Sequence, residues 1–307
     1  MRCDLHVHSW HSGQADLPLL RHVGRECYSD PLEVYERARW RGMDLVTLTD
    51  HDTIDGALRL AHRPDTFVSE EVTVRLDGGR QLHVTVFDLG EAQHAQVQRR
   101  AADPEALFAY LAEQRLPASV NHLFSALTGE RRVGDLLRPL GRLPLVEALN
   151  GAMPRAHNQR AALVGRAAGM APIGGSDAHS LAHVARAFTE VRGACSRQEF
   201  LDGLRRGLTL PAGRSGSYSR LTTEVVRIFA AGYAETAAEL ARRSAAPLRL
   251  AASALLLPFL PLIPLFTLAV HAHEVAFAAQ QFRALCDTAP LPPAARGGSA
   301  AALEEAA

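Results

Sequence analysis

The stretch Asp4-Leu5-His6-Val7-His8-Ser9, close to the start of the sequence, alternates polar and apolar side chains as a β-strand does. Side chains two positions apart on a strand point to the same face, so His6 and His8 are expected to lie side by side. Two imidazoles in that arrangement can bind one metal ion. We therefore predict that this strand contributes to a metal site.

Further polar clusters follow or begin other apolar runs, so that each lies next to a predicted strand end. They are Thr49-Asp50-His51-Asp52, Glu71, His83, Asn121-His122 and Ser176-Asp177-Ala178-His179. Catalytic groups in α/β barrels lie at the carboxyl ends of the strands. A single histidine beside a strand is usually a packing residue, but the repeated pattern favours a shared site. Mixed histidine and carboxylate ligands suit zinc, manganese or iron(II).

Strand-like and helix-like stretches alternate from Met1 to about Gly213. Ser29-Asp30-Pro31 is a helix start signal, with proline at the first helical position. Repeated alternation of this kind predicts parallel strands joined by crossover helices. About seven such units would be enough to close a barrel.

The overall composition limits the partners and the cellular compartment that we expect for this protein. The 307 residues contain 33 Lys and Arg against 33 Asp and Glu, so charge gives no reason to expect long nucleic acid as a partner. The four cysteines form no C-x-x-C pair, which fits a reducing compartment and argues against a structural zinc site. The N-terminal residues lack the apolar segment of a secretory signal, so we expect a cytoplasmic protein.

The region after Gly213 differs in composition. Residues 214–220 predict a linker, 221–289 a helical and partly apolar region, and 290–307 a disordered tail rich in Ala, Pro and Gly. Leu250–Val270 has no charged residue in 21 positions, close to the ~20 residues that cross a bilayer. It also contains three prolines, which kink or break helices.

Three interpretations of Leu250–Val270 remain open. It is a membrane span or re-entrant segment, a helix buried against the barrel or in a dimer, or a poorly ordered apolar tail. The arginines that precede it, with Glu274 after it, would place its N-terminal side in the cytoplasm. The first interpretation implies attachment to the inner face of the membrane.

The ordered set of motifs resembles the PHP (polymerase and histidinol phosphatase) family, over about residues 1–213. The matching segments are Asp4-Leu5-His6-Val7-His8-Ser9, Leu48-Thr49-Asp50-His51-Asp52-Thr53, Glu71-Val72-Thr73, Leu82-His83-Val84, Asn121-His122 and Gly175-Ser176-Asp177-Ala178-His179. The resemblance implies a distorted (β/α)7 barrel with two or three divalent ions (zinc, manganese or iron) at its C-terminal face. By resemblance, the first ion is bound by His6, His8, Glu71 and Asp177. Glu71 bridges to a second ion with His83 and His122, and His51 and His179 bind the third.

The chain departs from the family pattern after the first histidine pair, where a further ligand of the third ion is usual. Either His11 or Asp30 is available for this role. We favour Asp30, because Ser29-Asp30-Pro31 leads into the helix that usually follows the motif; if neither reaches, the site holds two ions. Asp50 and His179 are the candidate catalytic residues, with Asp50 orienting a ligand imidazole. Arg155 and Arg186 are candidate phosphate-binding residues, since guanidinium offers a bidentate fork.

The resemblance implies a metal-dependent phosphoesterase, in which a metal-held hydroxide attacks phosphorus. We expect a small-molecule or nucleotide phosphatase, because the neutral charge favours a small phosphorylated substrate. The alternatives are a 3′ or 5′ nuclease of short oligonucleotides, a non-catalytic metal-binding module tethered to a membrane or partner, and hydrolysis of a non-phosphate bond.

Overall fold

A computed structural model describes residues 1–14, 24–129 and 131–288 of the chain, and the predicted disordered tail at 290–307 lies outside them. The fold is mixed α/β with two sheets. One sheet has the order β2-β1-β8-β9, and the other runs from β3 to β7 in sequence order. The strands are β1 (Arg2–Asp4), β2 (Leu45–Val46), β3 (Ser69–Arg75), β4 (Gln81–Phe87), β5 (Ala118–Val120), β6 (Leu145–Asn150), β7 (Ala171–Gly175), β8 (Ala187–Glu190) and β9 (Leu210–Gly213).

Helices alternate with many of these strands and then continue alone to the end of the described chain. They are α1 (Pro31–Trp40), α2 (Asp55–Leu58), α3 (Glu91–Arg100), α4 (Pro104–Glu113), α5 (Val133–Leu137), α6 (Arg155–Ala167), α7 (Arg197–Arg205), α8 (Tyr218–Ala241), α9 (Pro247–Leu256) and α10 (Ile263–Thr288). Short 3₁₀ helices cover Trp10–Ser12, Asp77–Gly79 and Leu257–Leu262.

The strands are not all parallel, so that part of the prediction is wrong. Neighbours β5, β6 and β7 are parallel, but β3 and β4 form an antiparallel hairpin and β8 is antiparallel to both β1 and β9. The reason for the hairpin is the connection at residues 76–80, because a parallel pair needs a crossover of a dozen or more residues.

Single bridges join the two sheets at the end where the polar clusters lie. His51 pairs with Glu71 and Val7 pairs with Ala178, both in parallel orientation. Among the described strands the arrangement is therefore two sheets joined by isolated bridges, and not one unbroken ladder. The bridges bring the segments after β1, β2 and β7 together with the start of β3.

The last helix packs against the β3–β7 sheet side of the molecule. Ala278 and Leu285 of α10 are fully buried in the same apolar cluster as Val84 and Val120. The buried carboxylate of Glu274 accepts hydrogen bonds from the backbone N–H groups of Ala126 and Leu127, at 3.0 and 3.1 Å. A buried carboxylate with such partners fixes the helix in one position.

The apolar run Leu250–Val270 is divided between α9, a 3₁₀ helix that contains Pro258 and Pro261, and the start of α10. Within the described residues, one helical stretch, Pro247–Thr288, is long and apolar enough to cross a membrane, with a mean hydropathy of 2.1 over its best window. Only 17% of that window is buried. Ile263 and Thr267 nevertheless pack against the rest of the chain, and Thr267 is fully buried.

Candidate metal centre

Four donor atoms converge where the segment after β1 meets the start of β3 and the loop after β7. His6 Nε2 lies 3.0 Å from Glu71 Oε2 and 3.5 Å from Asp177 Oδ1. His8 Nε2 lies 3.4 Å from the same two oxygens. Ligands bonded to one tetrahedral zinc ion at its usual bond lengths are about 3.4 Å apart. The group therefore has the spacing of atoms that share an ion.

The second oxygen of Glu71 faces a different pair of imidazoles. Glu71 Oε1 is 3.4 Å from His83 Nδ1 and 3.3 Å from His122 Nε2. His83 comes from β4, next to β3 in the hairpin, and His122 follows β5. One carboxylate thus has donors on both of its oxygens, which is the geometry of a bridging ligand.

A third group of donors involves a residue that the sequence analysis did not identify. Glu26 Oε1 lies 3.5 Å from His51 Nε2 and 3.5 Å from His179 Nε2. His51 Nδ1 in turn lies 3.4 Å from Glu71 Oε2. The third group is therefore continuous with the first two through His51.

Asp30 does not join any of these groups, contrary to the prediction. Its carboxylate accepts a hydrogen bond from Leu32 N at 2.7 Å as the N-cap of α1, within a capping box with Glu33. Capping is a local interaction that the Ser29-Asp30-Pro31 signal predicts equally well. Among the described residues, His11 does not belong to a donor group either.

The donor set fits divalent ions. His8 Nε2 and His83 Nδ1 are buried and have no hydrogen-bond partner among the described residues. Leaving such atoms unpaired costs free energy, so buried orphans of this kind need an explanation. An ion between the imidazoles and carboxylates would satisfy both nitrogens. Nitrogen and carboxylate donors without cysteine suit a catalytic ion more than a structural one.

The charges of the cluster depend on one another. Burial acts to raise the pKa of the Glu71 carboxyl, but the surrounding imidazoles, His6 first, outweigh it and hold the pKa well below its usual range. Burial acts to lower the pKa of His51, but Glu26 and Glu71 outweigh it and raise the pKa to about 10. In the same way, Glu26 and Asp177 overcome burial and raise the pKa of His179 to about 9.

Ion binding should therefore release protons. His51 and His179 must lose their protons to coordinate a metal, so the apparent affinity should rise as the pH increases from about 6 to about 8 and fall as it decreases. Each proton released contributes about tenfold per pH unit. Calorimetric titration with Mn²⁺ in buffers of different ionisation enthalpy measures the number released, and an affinity that is independent of pH would contradict the prediction.

One region of the chain, which contains the last motif, is similar in sequence to a known family. A family model described as PHP-associated matches residues 155–209, which run from α6 to α7 and include Asp177 and His179. The match covers a part of the chain, and it supports the resemblance to the PHP family that the motifs indicated. No curated protein matches the chain.

Solved structures resemble this chain at low sequence identity. PsfC from Pseudomonas syringae PB-5123 is 18% identical with a TM-score of 0.50, over 76% of this chain and 98% of PsfC. The lesion-specific endonuclease PfuEndoQ from Pyrococcus furiosus is 17% identical with a TM-score of 0.47, over 69% of this chain and 58% of the endonuclease. An amidohydrolase from Chromobacterium violaceum is 16% identical with a TM-score of 0.46, over 68% and 98% of the two chains. The likeness to PsfC concerns the fold alone.

Close backbone approaches position the donor residues of the candidate metal centre. A Cβ atom on Gly175 would lie 2.3 Å from His6 Cβ, so only glycine allows β7 to approach the His6 segment. Asp177 and His122 have positive φ angles of 49° and 25°. Such conformations are strained for residues other than glycine and persist where the surrounding structure holds them.

A second layer of polar side chains orients the imidazoles. His6 Nδ1 is 2.7 Å from Glu147 Oε1, which fixes the ring and leaves Nε2 for an ion. His8 Nδ1 is 3.0 Å from Ser12 Oγ, and Ser12 Oγ donates to Asp50 Oδ1 at 2.8 Å. Asp50 therefore reaches His8 through Ser12, and the orienting role given to it from the sequence stays a prediction.

A cavity of about 320 Å³ lies beside the metal centre. Asp177 and His179 contribute to its lining, together with Arg25 and Arg220. Arg155 and Arg186, predicted to bind phosphate, are exposed and do not line this cavity. Arg155 and Arg186 lie near the predicted site motifs in the sequence. The cavity is instead lined in large part by α8, which lies further along the chain.

Three site residues escaped the sequence analysis for different reasons. Glu26 lies outside every strand-end motif, and no local signal marks it. Glu147 is the single charged residue within the predicted apolar strand at 145–149. A charged residue in a buried strand is rare, so the sequence did mark Glu147 as unusual. Glu224 of α8 forms hydrogen bonds with His179 N at 2.7 Å and with His183 Nδ1, and its sequence neighbours predict only an amphipathic helix.

Proposed function

We propose that the protein is a metal-dependent phosphoesterase that hydrolyses small phosphate esters. The observation that supports it most is the position of Glu71, whose two oxygens face separate groups of imidazole donors at 3.3–3.4 Å. A bridging carboxylate keeps neighbouring ions close together while offsetting their repulsion. The adjoining cavity gives a substrate access to the side of the centre that includes Asp177 and His179.

The residues present define three ion positions in this proposal. The first would be held by His6, His8, Glu71 and Asp177, the second by Glu71, His83 and His122, and the third by Glu26, His51 and His179. Divalent zinc, manganese or iron in these positions would supply Lewis acidity and an activated water for attack on phosphorus. The chain's own contribution is to hold the donors in place through Glu147, Ser12 and Asp50.

The proposal also covers the type of fold and the division of the chain into two units. The two sheets would be the two parts of the distorted (β/α)7 barrel implied by the family. Residues 1–213 would form the hydrolase unit, with residues 221–289 packed beside it and completing its cavity.

Protonation of the leaving alcohol is assigned to His183 in place of His179. His179 faces Glu26 as an ion ligand, and an imidazole bound to a metal cannot donate that proton from the same nitrogen. His183 lines the same cavity, and its Nδ1 is hydrogen bonded to Glu224. A carboxylate in that position orients an imidazole for proton transfer.

Replacement of His183 by glutamine should separate two kinds of substrate. Turnover of an alkyl phosphate should fall about a hundredfold, because its leaving alcohol needs a proton. Turnover of p-nitrophenyl phosphate should change little, because its leaving group departs as a stable anion. Equal losses with both substrates, measured as kcat at saturating substrate, would assign His183 a merely structural role.

The decisive experiment is a turnover assay with the full chain loaded with Mn²⁺, Zn²⁺ or Fe²⁺. The substrates are p-nitrophenyl phosphate, a nucleoside monophosphate and short 5′- and 3′-phosphorylated oligonucleotides. Release of phosphate from the first two supports the proposal, and shortening of the oligonucleotides supports the nuclease alternative. Stoichiometric ion binding without turnover of any substrate would refute the phosphoesterase and favour the non-catalytic module.

We also propose that the protein attaches to the surface of the cytoplasmic membrane through the exposed apolar side chains of α9, the 3₁₀ helix and α10. They are Leu255, Leu257, Phe259, Leu262, Leu265, Phe266 and Leu268, each 48–66% exposed. Surface attachment, and not a span, is proposed because the buried Thr267 and Glu274 hold α10 against the body of the protein. Apolar side chains inserted at the interface give reversible binding.

Flotation with lipid vesicles of phosphatidylglycerol and phosphatidylcholine tests the attachment. Phe259→Asp with Leu265→Asp should leave the protein in the soluble fraction. Leu208→Asp is the matched control, because Leu208 is also about half exposed, at 52%, but lies before β9 and far along the chain from α10. Wild-type protein that does not float would refute the attachment.

A further inference from the structure

The lining of the cavity beside the metal centre combines two kinds of residue. Asp177, His179 and Glu26 are among the proposed ion ligands. Most of the remaining lining is apolar and includes Leu127, Met153, Leu221, Val225, Ile228 and Phe266. A polar group placed against this apolar part of the lining would lose hydrogen-bond partners, so the lining favours a substrate with an apolar portion.

The apolar wall is formed by one face of α8. Leu221, Val225 and Ile228 are spaced by four and three residues, so they form a stripe on one side of the helix. All three are only partly buried, although they face the interior side of the helix. Apolar side chains in a cavity of about 320 Å³ gain free energy when an apolar group fills it.

The wall is held in place by contacts between α8 and α10. Thr222 and Thr267 share a hydrogen bond of 2.7 Å between their hydroxyl oxygens, and Tyr218 donates from its hydroxyl to Pro264 O at 3.1 Å. Phe266, from α10, is part of the cavity lining and is also 57% exposed at the surface. The cavity therefore adjoins the exposed apolar side chains of α10.

A cationic side chain lies at the cavity as well. Arg220 donates from Nη1 to the carbonyl oxygens of Arg214 and Ser215, both at 2.9 Å. Its Nη2 is buried and has no hydrogen-bond partner among the described residues. A buried guanidinium nitrogen without a partner is costly, and a phosphate oxygen is its preferred acceptor.

We propose that the substrate is an amphiphilic phosphate ester, with its phosphate between the ions and Arg220 and an apolar alcohol moiety along the α8 stripe. This inference rests on the proposed phosphoesterase function. In the reaction, a P–O bond forms from water, the P–O bond to the alcohol breaks, and the alcohol takes up a proton. Water is the only co-reactant, and the products are inorganic phosphate and an apolar alcohol.

Binding of n-alkylphosphonates tests the inference without turnover, because their C–P bond is not hydrolysed. The series from ethyl to octyl is titrated into the Mn²⁺-loaded full chain by calorimetry. The affinity should rise about fourfold for each methylene that the cavity buries, and then level off when the cavity is full. Ethyl and octyl phosphonate binding with equal affinity would overturn the inference.

A pair of adjacent valines on α8 provides a matched control. Val225 lines the cavity, whereas Val226 does not and is 45% exposed. Val225→Asn should reduce the octyl-to-ethyl affinity ratio at least tenfold, and Val226→Asn should leave it unchanged. An unchanged ratio in Val225→Asn, with circular dichroism showing folded protein, would refute the apolar wall as the binding surface.

The same measurements separate this inference from the proposed function. Turnover of p-nitrophenyl phosphate with no dependence of affinity on chain length would retain the phosphoesterase and refute the amphiphilic substrate. Affinity that rises with chain length, without hydrolysis of octyl phosphate under any of the three metals, would refute the phosphoesterase and retain the apolar site.

Discussion

Glu71→Gln is expected to abolish hydrolysis, with a loss of at least about 10⁴-fold in kcat/KM. Each ion supplies several kcal/mol of transition-state stabilisation, and each 1.4 kcal/mol corresponds to tenfold in rate. Glu71 faces His6, His8, His51, His83 and His122, so one substitution takes a ligand from two proposed ion positions and a partner from His51 in the third. Elemental analysis of the purified variant should show the loss of at least two ions per chain.

The neighbouring Glu70 provides the control for this substitution. Glu70 points to the other side of β3, where its Oε2 is 2.8 Å from both His94 Nδ1 and Gln98 Nε2. Glu70→Gln changes the same chemical group one residue away and should leave the metal content and kcat/KM unchanged. Wild-type metal content in Glu71→Gln would contradict the bridging assignment.

Glu26→Gln should remove one ion per chain and reduce kcat/KM about 10³-fold, by the same conversion of several kcal/mol into rate. Glutamine is close to glutamate in shape, but it lacks the negative charge that faces His51 and His179. Metal content and kcat/KM are measured in parallel, since a loss of activity with all ions retained would mean that Glu26 acts on the substrate and not as a ligand.

Asp30→Asn is the matched variant, because Asp30 was the ligand expected from sequence. Asparagine is as good an N-cap as aspartate, so α1 should remain intact. Metal content and kcat/KM should both stay at the wild-type level. If Asp30→Asn loses an ion and Glu26→Gln does not, the arrangement of the third position is wrong.

The helices were predictable where their start signals are local. Asp30 and Asp103 cap α1 and α4, and each is followed by a proline at the first helical position. The short strands β8 and β9 were not predicted. Pro211 lies within β9. Judged from local sequence, a proline argues against a strand, because it has no N–H group to donate to a neighbouring strand. The strand forms because its pairing partner β8 is supplied by the fold.

What the sequence alone determined is the chemistry of the centre. Histidines and acids in short motifs beside apolar runs are recognisable because the metal preference of a side chain belongs to the residue itself, whatever the fold. The tertiary structure decided which acid faces His51 and His179, how Glu147 orients His6, and that α8 closes the cavity with an apolar face. Each of these is a contact between segments far apart in the chain, and only packing brings such segments together.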